Sequence, residues 1–458
     1  MYHKIEFYAT VSASMLERHT RDLSILFLGD IAIAALSLWL ALYVRRFEIP
    51  TLASYAEHLA VFGILILLSC VVFVAVGLYD RTVALFERSL PVTVFEAQSV
   101  NAVLAVLFFF FAPVAIQPKT ILVLYFVIST LLIIVWRLGI FRIRTLTRPT
   151  MPAVIVGRGD EIDAIAAALS EPPFVQLSCG ARIDVDKEDA FLVRHVLDTA
   201  RTVRALYVVA DEQFSARIRP ELPREMRIID AAALFEERTS RAPLSLIDAE
   251  TFRAASHSRA NVLYDALKRA MDIGAAVILG SVSLLVYPVV WLAVYLEDRG
   301  PLFVRQERVG QGGVVFPMYK FRSMTGNDSG AYGESGKTQL RVTRVGAFLR
   351  KSRIDELPQL WSVLLGYQSL IGPRPELPPL VAEYRTRIPL YDLRHLVKPG
   401  LSGWAQVYHQ AHPHHGADVE ETERKLSYDL YYVKHRSLFL DLDIALKTIK
   451  TLALRVGA

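Results

Sequence analysis

Two adjacent carboxylates, Asp355 and Glu356, lie in a stretch of sequence that is otherwise rich in positive charge. The cations around them are Arg350, Lys351, Arg353 and, further along the chain, Arg374. Nearby cations hold a carboxylate in its ionised form, and arginine is especially suited to binding phosphate. An ionised aspartate beside a bound phosphate can act as a nucleophile and form an acyl phosphate. The pattern therefore predicts chemistry on a phosphorylated substrate, and the simpler alternative is a surface helix with mixed charges.

The adjacency of the two acids predicts different tasks for them. Neighbouring residues on a helix point about 100° apart, so the two side chains cannot face each other across a substrate as a glycosidase pair does. We expect Asp355 to attack phosphorus. We expect Glu356 to bind Mg²⁺, the hard cation that phosphate chemistry usually requires.

Arg374 stands between Pro373 and Pro375. Prolines restrict the backbone and so fix the direction of the guanidinium between them. This arrangement predicts that Arg374 binds phosphate, with a structural ion pair as the alternative. The Pro-Arg-Pro turn is therefore a candidate part of the substrate site.

Three more cations are candidates for substrate binding. Lys320 and Arg322 alternate along a predicted strand, so both side chains are expected on one face of it. A solvated strand face is the alternative for this pair. Arg353, two residues before the first acid, is expected to orient it.

A polar loop near the C-terminus is rich in histidine. Its members are His409, His412, His414 and His415. Zinc is the sharpest interpretation of such a cluster, but no cysteine or second spaced pair accompanies it. A loop near the substrate is the favoured alternative. The segments 325–338 and 408–418 are expected to carry the specificity for the substrate.

The elements that must position these residues begin with a membrane domain. The chain has 458 residues, of which 53% are hydrophobic. Four apolar segments are each long enough to cross a bilayer, and they are Leu23–Val44, His58–Tyr79, Val100–Ile116 and Ile121–Leu138. Lys and Arg, including Arg137, are more frequent on one side of these spans, which predicts that both ends of the bundle are cytoplasmic. Asp30 lies inside the first span, either as a functional acid or as a contact within the bundle.

Residues from Met151 to Phe252 are typical of a soluble α/β domain. An apolar strand, Ala153–Val156, leads into Gly157 and Gly159, and a helix follows. Further strands are expected at Ala205–Ala210 and Met226–Ile229. This βαβ rhythm predicts a Rossmann-like domain. Because the third glycine of the dinucleotide fingerprint is missing, a regulatory or assembly role is favoured over a dinucleotide site, with a bound small nucleotide as a further alternative.

A fifth apolar segment runs from Ile273 to Leu296 and contains Pro288. Four spans return the chain to the cytoplasm, so a fifth full crossing would carry the two acids to the other side. A proline in a helix interior also breaks the hydrogen-bond ladder. The sequence therefore predicts a re-entrant helix over about 268–297 that enters one leaflet and returns at Pro288.

The segment from Lys268 onward resembles the bacterial sugar transferases, the monotopic polyprenyl-phosphate phosphoglycosyl transferases. The matching blocks are Lys268–Asp272, Gly300–Gly310, Tyr319–Met324, Arg350–Leu360, Gly372–Pro375 and Lys398–Gln406. The four spans and the middle domain resemble the long-form members, so the likeness covers essentially the whole chain. Two residues depart from the family pattern: Tyr287 replaces the usual Ser before the break proline, and Ile354 replaces Leu.

The resemblance implies a function. A sugar-1-phosphate would pass from a UDP-sugar to undecaprenyl phosphate through a covalent intermediate on Asp355, with Mg²⁺ on Glu356. This reaction would begin the assembly of an exopolysaccharide, capsule or O-antigen. The resemblance also implies a re-entrant helix and a catalytic domain on the cytoplasmic face of the bacterial inner membrane. The identity of the sugar does not follow from it.

These observations predict three domains. A four-helix transmembrane domain covers 1–148, a Rossmann-like domain 149–255, and an α/β monotopic catalytic domain 256–458. The rival functions are a membrane-bound nucleotide-sugar dehydratase or epimerase, and an inactive scaffold of polysaccharide export. The first needs a complete NAD fingerprint to accompany Tyr264 and Lys268, and the second is disfavoured by the intact acids.

Composition bounds the compartment and the partners. The net charge of +5 suits phosphorylated substrates and membrane lipid, and it accompanies no nucleic-acid motif. With two distant cysteines, a disulfide is not expected and a reducing compartment is. No cleavable signal peptide is evident. The large N-terminal part is compatible with a homodimer.

Overall fold

The computed structural model describes residues 2–76, 78–79, 90–111, 119–147, 151–170, 177–184, 191–223, 226–258, 262–326, 340–409 and 419–453. The chain divides into two compact units, Met1–Thr239 and Ser240–Ala458. The first unit contains four long helices and a parallel sheet. The second contains a bent pair of apolar helices and the two acids.

Four helices form the N-terminal bundle: α1 (Tyr2–Arg46), α2 (Leu52–Ala75), α3 (Leu90–Phe111) and α4 (Lys119–Thr147). Each includes a stretch long and apolar enough to cross a membrane. Four apolar helices are therefore confirmed. α3 begins ten residues before the predicted third span because its polar residues are buried: Gln98 donates to Ser129 Oγ (3.1 Å) and accepts from Asn101 (3.0 Å). The predicted end of that span, 112–116, lies outside the described residues.

Asp30 is buried in the bundle and paired. Its Oδ2 accepts hydrogen bonds from Arg137 Nη2 at 2.5 Å and from the Tyr79 hydroxyl at 2.8 Å. Arg137 also donates to the carbonyl oxygen of Leu78 at 2.7 Å. These contacts favour a structural role for Asp30, because a buried charge needs a partner. Arg137 thus binds inside the bundle and does not mark its cytoplasmic end.

The sheet of the first unit has four parallel strands in the order β2-β1-β3-β4. They are β1 (Met151–Val156), β2 (Leu177–Ile183), β3 (Tyr207–Ala210) and β4 (Arg227–Asp230), with helices α5 (Asp160–Ser170), α6 (Leu192–Val203), α7 (Glu212–Ile218) and α8 (Ala231–Thr239). Strand β2 does not follow from the sequence, because it is short of β-branched residues and carries Gly180. A Cβ at Gly180 would lie 2.8 Å from the Pro152 side chain, beside an irregularity in the β1–β2 register. Only glycine fits there without rearrangement.

The second unit begins before the predicted boundary at 255/256. The indole of Trp404 donates to the Ser240 carbonyl oxygen at 2.9 Å, and the Ser427 hydroxyl donates to that of Ala242 at 2.6 Å. Phe252, in helix α9 (Ala249–Ser258), is buried in the same hydrophobic cluster as Trp404. Residues 240–255, which the sequence pattern places in the middle domain, therefore pack within the second unit.

The fifth apolar segment forms two helices, α10 (Val262–Leu284) and α11 (Tyr287–Asp298), which are bent by 51° at the break. Pro288 lies in the first turn of α11, where its missing N–H costs no hydrogen bond. The Ser283 hydroxyl donates to the Gly280 carbonyl oxygen at 2.7 Å, next to the break. The hydroxyl of Tyr287 accepts from the Trp361 indole at 3.2 Å.

The rest of the second unit is mixed α/β, as predicted. Strands β5 (Phe303–Val309) and β6 (Val315–Phe321) form an antiparallel hairpin, and β7 (Ser369–Ile371) pairs in parallel with β8 (Gly400–Ser402). The helices are α12 (Arg344–Lys351), α13 (Gln359–Leu365), α14 (Pro378–Arg387), α15 (Trp404–Tyr408), α16 (Val419–His435) and α17 (Leu438–Ala453). Leu440 and Ile444 of α17 are buried in the core, whereas Leu446 and Ile449 are exposed.

Candidate active site

The two acids lie in a short turn between helices. Helix α12 ends at Lys351, Arg353 has a left-handed backbone (φ 58°), and a 3₁₀ turn from Ile354 to Glu356 leads toward α13. A left-handed conformation costs a non-glycine residue on the order of 1 kcal/mol or more, so the surrounding contacts must maintain it. The turn buries Asp355 and brings the Arg353 guanidinium to 3.3 Å from Glu356 Oε1.

Glu356 is held by cations. Its Oε1 accepts a hydrogen bond from Arg374 Nη2 at 2.9 Å as well as from Arg353. Burial by itself would raise the pKa of Glu356, but Arg374, Lys320 and Arg353 together lower this pKa to about 2. Glu356 is therefore ionised at any physiological pH, as the sequence predicts, and paired with arginine.

Asp355 has a different environment. It is 7% exposed, and its Oδ1 is buried without a hydrogen-bond partner among the described residues. Burial, followed by the repulsion of Glu356, raises the pKa of Asp355 to about 6, although Lys320, Arg350 and Arg353 act to lower it. Burial therefore outweighs the nearby cations at this carboxyl, but the predicted ionised form still prevails near neutral pH. Near neutral pH the carboxyl group of Asp355 is mostly ionised, and its Oδ1 has a lone pair that accepts no hydrogen bond from the described residues.

Lys320 interacts electrostatically with both acids, whereas Arg322 has other partners. Burial, followed by repulsion from Arg374 and Arg308, lowers the pKa of Lys320 to about 8, while the two acids act to raise it. Arg322 instead donates to Asp298 Oδ2 at 2.6 Å and to the Met324 carbonyl oxygen at 3.1 Å. The prediction that both cations line one substrate-facing surface does not agree with these contacts, because Arg322 is buried in an ion pair at the end of α11.

Backbone contacts hold the Pro-Arg-Pro turn. The Gly400 N–H donates to the Pro373 carbonyl oxygen at 2.9 Å, and Arg308 Nη1 donates to that of Pro375 at 3.3 Å. Arg394 Nη2 donates to the Arg374 carbonyl oxygen at 2.8 Å. The direction of the Arg374 guanidinium thus depends on these contacts as well as on the flanking prolines.

Sequence reasoning missed the charged network behind this turn. Arg394 is 3% exposed and its Nη2 lies 2.8 Å from Asp429 Oδ2, while Lys425 is paired with Glu376. Burial opposes ionisation of Glu376, but Lys425 and Arg394 hold its pKa well below the usual range. No local sequence pattern indicates this network, because its members are spread over more than fifty residues of the chain.

The described residues contain no group of three or more His, Cys, Asp or Glu side chains able to hold a metal ion. Glu356 is the acid predicted to hold Mg²⁺, and its carboxylate is an oxygen ligand of the kind that this ion prefers. One carboxylate suffices when substrate phosphates and water complete the octahedron. Of the four clustered histidines, His409 has its Nε2 at 2.5 Å from Glu421 Oε1. The other three, His412, His414 and His415, lie outside the described residues. The proposed specificity segments also lie mostly outside them, at 327–338 and 410–418.

Tyr264 and Lys268 have structural partners. The Tyr264 hydroxyl donates to Asp441 Oδ2 at 3.0 Å, and Lys268 Nζ donates to the same oxygen at 2.8 Å. Tyr432 donates to the other oxygen of Asp441 at 2.8 Å. The dehydratase alternative, which would need both side chains at a cofactor, therefore finds no support in these contacts.

Comparison with known proteins places residues 263–455 in the family "Bacterial sugar transferase". The chain is 46% identical over 199 residues to the UDP-N-acetylgalactosamine-undecaprenyl-phosphate N-acetylgalactosaminephosphotransferase of Aeromonas hydrophila. This alignment covers 43% of this chain and 46% of that protein. It is also 38% identical over 192 residues to the UDP-glucose:undecaprenyl-phosphate glucose-1-phosphate transferase of Caulobacter vibrioides. This second alignment covers 42% of this chain and 71% of that protein.

A third relative is matched over most of its length. This uncharacterised sugar transferase of Bacillus subtilis is 38% identical over 195 residues, which is 42% of this chain and 89% of that protein. By contrast, the chain spans less than half of the Aeromonas protein. The shared part contains both acids and the Pro-Arg-Pro turn.

Proposed function

The chain belongs to the bacterial sugar transferase family, and we propose that it transfers a sugar-1-phosphate from a UDP-sugar to undecaprenyl phosphate. The relatives' names supply both substrates. The name of the Aeromonas protein, the most similar of the relatives described above, gives UDP-N-acetylgalactosamine as the donor. UDP-N-acetylgalactosamine is accordingly the first donor to test. The product would be the lipid-linked first sugar of an exopolysaccharide, capsule or O-antigen.

The observation that carries the proposal is the contrast between the two acids. Asp355 has an unpartnered oxygen and a pKa raised to about 6, so it is available to form a bond. Glu356 is engaged by Arg374 and Arg353 and stays ionised. A nucleophile must be deprotonated and have a free lone pair, and of the two acids Asp355 is the one whose oxygen has no hydrogen-bond partner among the described residues.

The proposed reaction has two steps. In the first, an oxygen of Asp355 attacks the β-phosphorus of the UDP-sugar, the bond to the bridging oxygen breaks, and UMP leaves with that oxygen. The sugar-phosphate is then bound to Asp355 as an acyl phosphate. In the second step, an oxygen of the lipid phosphate attacks the same phosphorus and Asp355 leaves as a carboxylate. No oxidant or net proton transfer is needed.

The cations have complementary tasks in this scheme. Arg374 and Lys320 bind the phosphate oxygens of the donor, where negative charge accumulates on the leaving UMP. Arg353 keeps Glu356 in place beside the nucleophile. Glu356 would hold Mg²⁺, which would neutralise charge on the leaving group.

The membrane arrangement is part of the proposal. The 51° bend between α10 and α11 supports a helix that enters one leaflet and returns, which keeps both acids on the side of the cytoplasmic nucleotide sugar. The location would be the cytoplasmic face of the bacterial inner membrane. The parallel sheet of the first unit would be a Rossmann-like domain with a regulatory or assembly role, and a homodimer is compatible with it.

The test is release of UMP by the purified chain in the presence of Mg²⁺, undecaprenyl phosphate and a panel of UDP-sugars. We expect release with one donor, dependent on the lipid. Asp355→Asn should abolish it, because an amide cannot attack phosphorus. Asp198→Asn is the control, because it changes an exposed acid on α6 that pairs with Arg201, and it should retain full activity.

Two results would contradict the proposal. Undiminished release by Asp355→Asn would exclude the covalent step on this residue. Absence of release with every UDP-sugar, from protein that unfolds cooperatively, would exclude the reaction and favour the scaffold alternative. Trapping of a radiolabelled sugar-phosphate on the wild-type chain without lipid would support the intermediate directly.

A further inference from the structure

A cavity of about 390 Å³ lies in the second unit, away from the two acids. It is lined at the start of α10 by Tyr264, Lys268, Arg269 and Asp272, and from other elements by Lys398 and Arg436 among others. This space is large enough for a phosphate group and several waters, each water occupying about 30 Å³. The chemistry of its walls shows what it would bind.

Two of the four cations on its walls have carboxylate partners. Lys268 is paired with Asp441 at 2.8 Å, and Arg436 with Asp265 at 3.2 Å. The remaining acid, Asp272, accepts from the Ser369 hydroxyl and from a backbone N–H at 3.0 and 2.9 Å. The positive charge of the other two cations, Arg269 and Lys398, is not balanced by an ion pair among the described residues.

These two cations converge on one point. A Cβ added to Gly366 would lie 3.5 Å from Arg269 Nη2 and 3.7 Å from Lys398 Nζ. Burial, followed by the repulsion of Arg269, lowers the pKa of Lys398, although Asp272 and Asp265 act to raise it. Two like charges at close range are stabilised by an anion between them.

A buried hydroxyl adds a second, independent observation. Ser256 lines the same cavity, is 9% exposed, and its Oγ has no hydrogen-bond partner among the described residues. Buried polar groups are normally hydrogen-bonded. A ligand with acceptor oxygens would supply the missing partner and the missing negative charge together.

The cavity and the acids lie at opposite ends of α13. Arg269 donates to the carbonyl oxygens of Val363 and Leu364 at 2.6 and 2.8 Å, at the C-terminal end of this helix. Seven helical residues span about 10 Å. A ligand in the cavity is therefore distinct from a phosphate that reacts with Asp355.

The neighbouring surface indicates the source of the anion. Leu267 and Met271, on the same turns of α10 as Lys268 and Asp272, are 43% and 51% exposed. The apolar stretch of the bent pair continues from there. We propose that this cavity binds the phosphate group of a membrane lipid beside α10, as a second phosphate site that does not take part in the transfer reaction.

The experiment is equilibrium binding of short-chain phosphatidylglycerol to the purified full chain in a neutral detergent. Lys398→Gln should weaken binding about ten-fold, because one charge-assisted hydrogen bond is lost. Lys398→Arg should restore it. Lys450→Gln is the matched control, since it removes an exposed lysine next to the apolar residue Ile449, and it should leave binding unchanged.

Competition by inorganic phosphate separates the two sources of the anion. No displacement of the lipid at a hundred-fold excess of phosphate would indicate a lipid headgroup site, whereas displacement that depends on Lys398 would indicate a site for soluble phosphate. Equal binding by the wild-type chain and Lys398→Gln, or equal weakening in Lys450→Gln, would overturn the proposal. A second measurement needs no variant: the lipid should protect Lys398 of the wild-type chain from acetylation, and unprotected labelling would also overturn it.

Discussion

Lys320→Gln tests the electrostatic reasoning about the active site most directly. Lys320 lowers the pKa of both acids, and we propose that it also binds donor phosphate. Its own pKa is lowered to about 8, so it loses its proton in an accessible pH range. The substitution removes this positive charge and keeps a polar side chain on β6.

The magnitude follows from the lost interaction. A hydrogen bond to a charged group contributes about 1.5–3 kcal/mol, so kcat/KM should fall by about ten- to hundred-fold. The wild-type profile of kcat/KM should rise as Asp355 ionises through about pH 6 and fall as Lys320 deprotonates through about pH 8. In the variant the acidic limb should move to higher pH, because the cation that favours the ionised Asp355 is gone. The alkaline limb near pH 8 should disappear.

The assay is UMP release at low donor concentration from about pH 5 to 9, with each variant checked for folding by thermal unfolding. Arg305→Gln is the control, because Arg305 is an exposed cation on the neighbouring strand β5 and is paired 3.7 Å from Glu307. Its profile should match that of the wild type. An alkaline limb that persists in Lys320→Gln would refute the assignment to Lys320, and an unmoved acidic limb would refute its effect on Asp355.

Three further substitutions test contacts around the site and in the bundle. Arg394→Lys should raise the donor KM about ten-fold with a smaller change in kcat, since lysine cannot bind Asp429 and the Arg374 carbonyl oxygen together; steady-state kinetics would measure this. Tyr287→Phe should lower stability by about 1 kcal/mol or less in thermal unfolding, because only one hydrogen bond to an indole is lost. Asp30→Leu should destabilise the bundle by about 3–5 kcal/mol in the same measurement by leaving the buried guanidinium without its acid, and a wild-type melting curve would contradict that pairing.

Hydrophobic patterning predicted much of the architecture. Apolar length revealed four helices, and Pro288 revealed the break between α10 and α11. The start of α3 did not follow from hydropathy, because its buried Gln98 and Asn101 bind polar partners within the bundle. Strand β2 was missed because Gly180, required by the close approach of Pro152, weakens its strand pattern. In both cases tertiary contacts overrode the local signal.

The candidate site was predictable in its composition but not in its electrostatics. Charge clustering singled out Asp355, Glu356 and Arg374, and the fold brings these three residues together. The sequence could not reveal that burial at Asp355 exceeds the effect of the surrounding cations. The alternation of Lys320 and Arg322 did not bring both cations beside the acids, because Arg322 lies next to Asp298 at the end of α11 and is paired there.

The difference between the pKa values of Asp355 and Glu356 has one physical cause. Removal from solvent raises the pKa of each acid, but the two arginines, Arg353 and Arg374, contact Glu356 alone. Glu356 thereby remains charged, and its charge in turn raises the pKa of Asp355. Environments that drive the pKa values of neighbouring acids apart are a common basis for giving them different roles. Moving the arginine contact to Asp355 would occupy the lone pair that the proposed reaction needs, so the position of Arg374 opposite Glu356 leaves Asp355 free for its proposed role as the nucleophile.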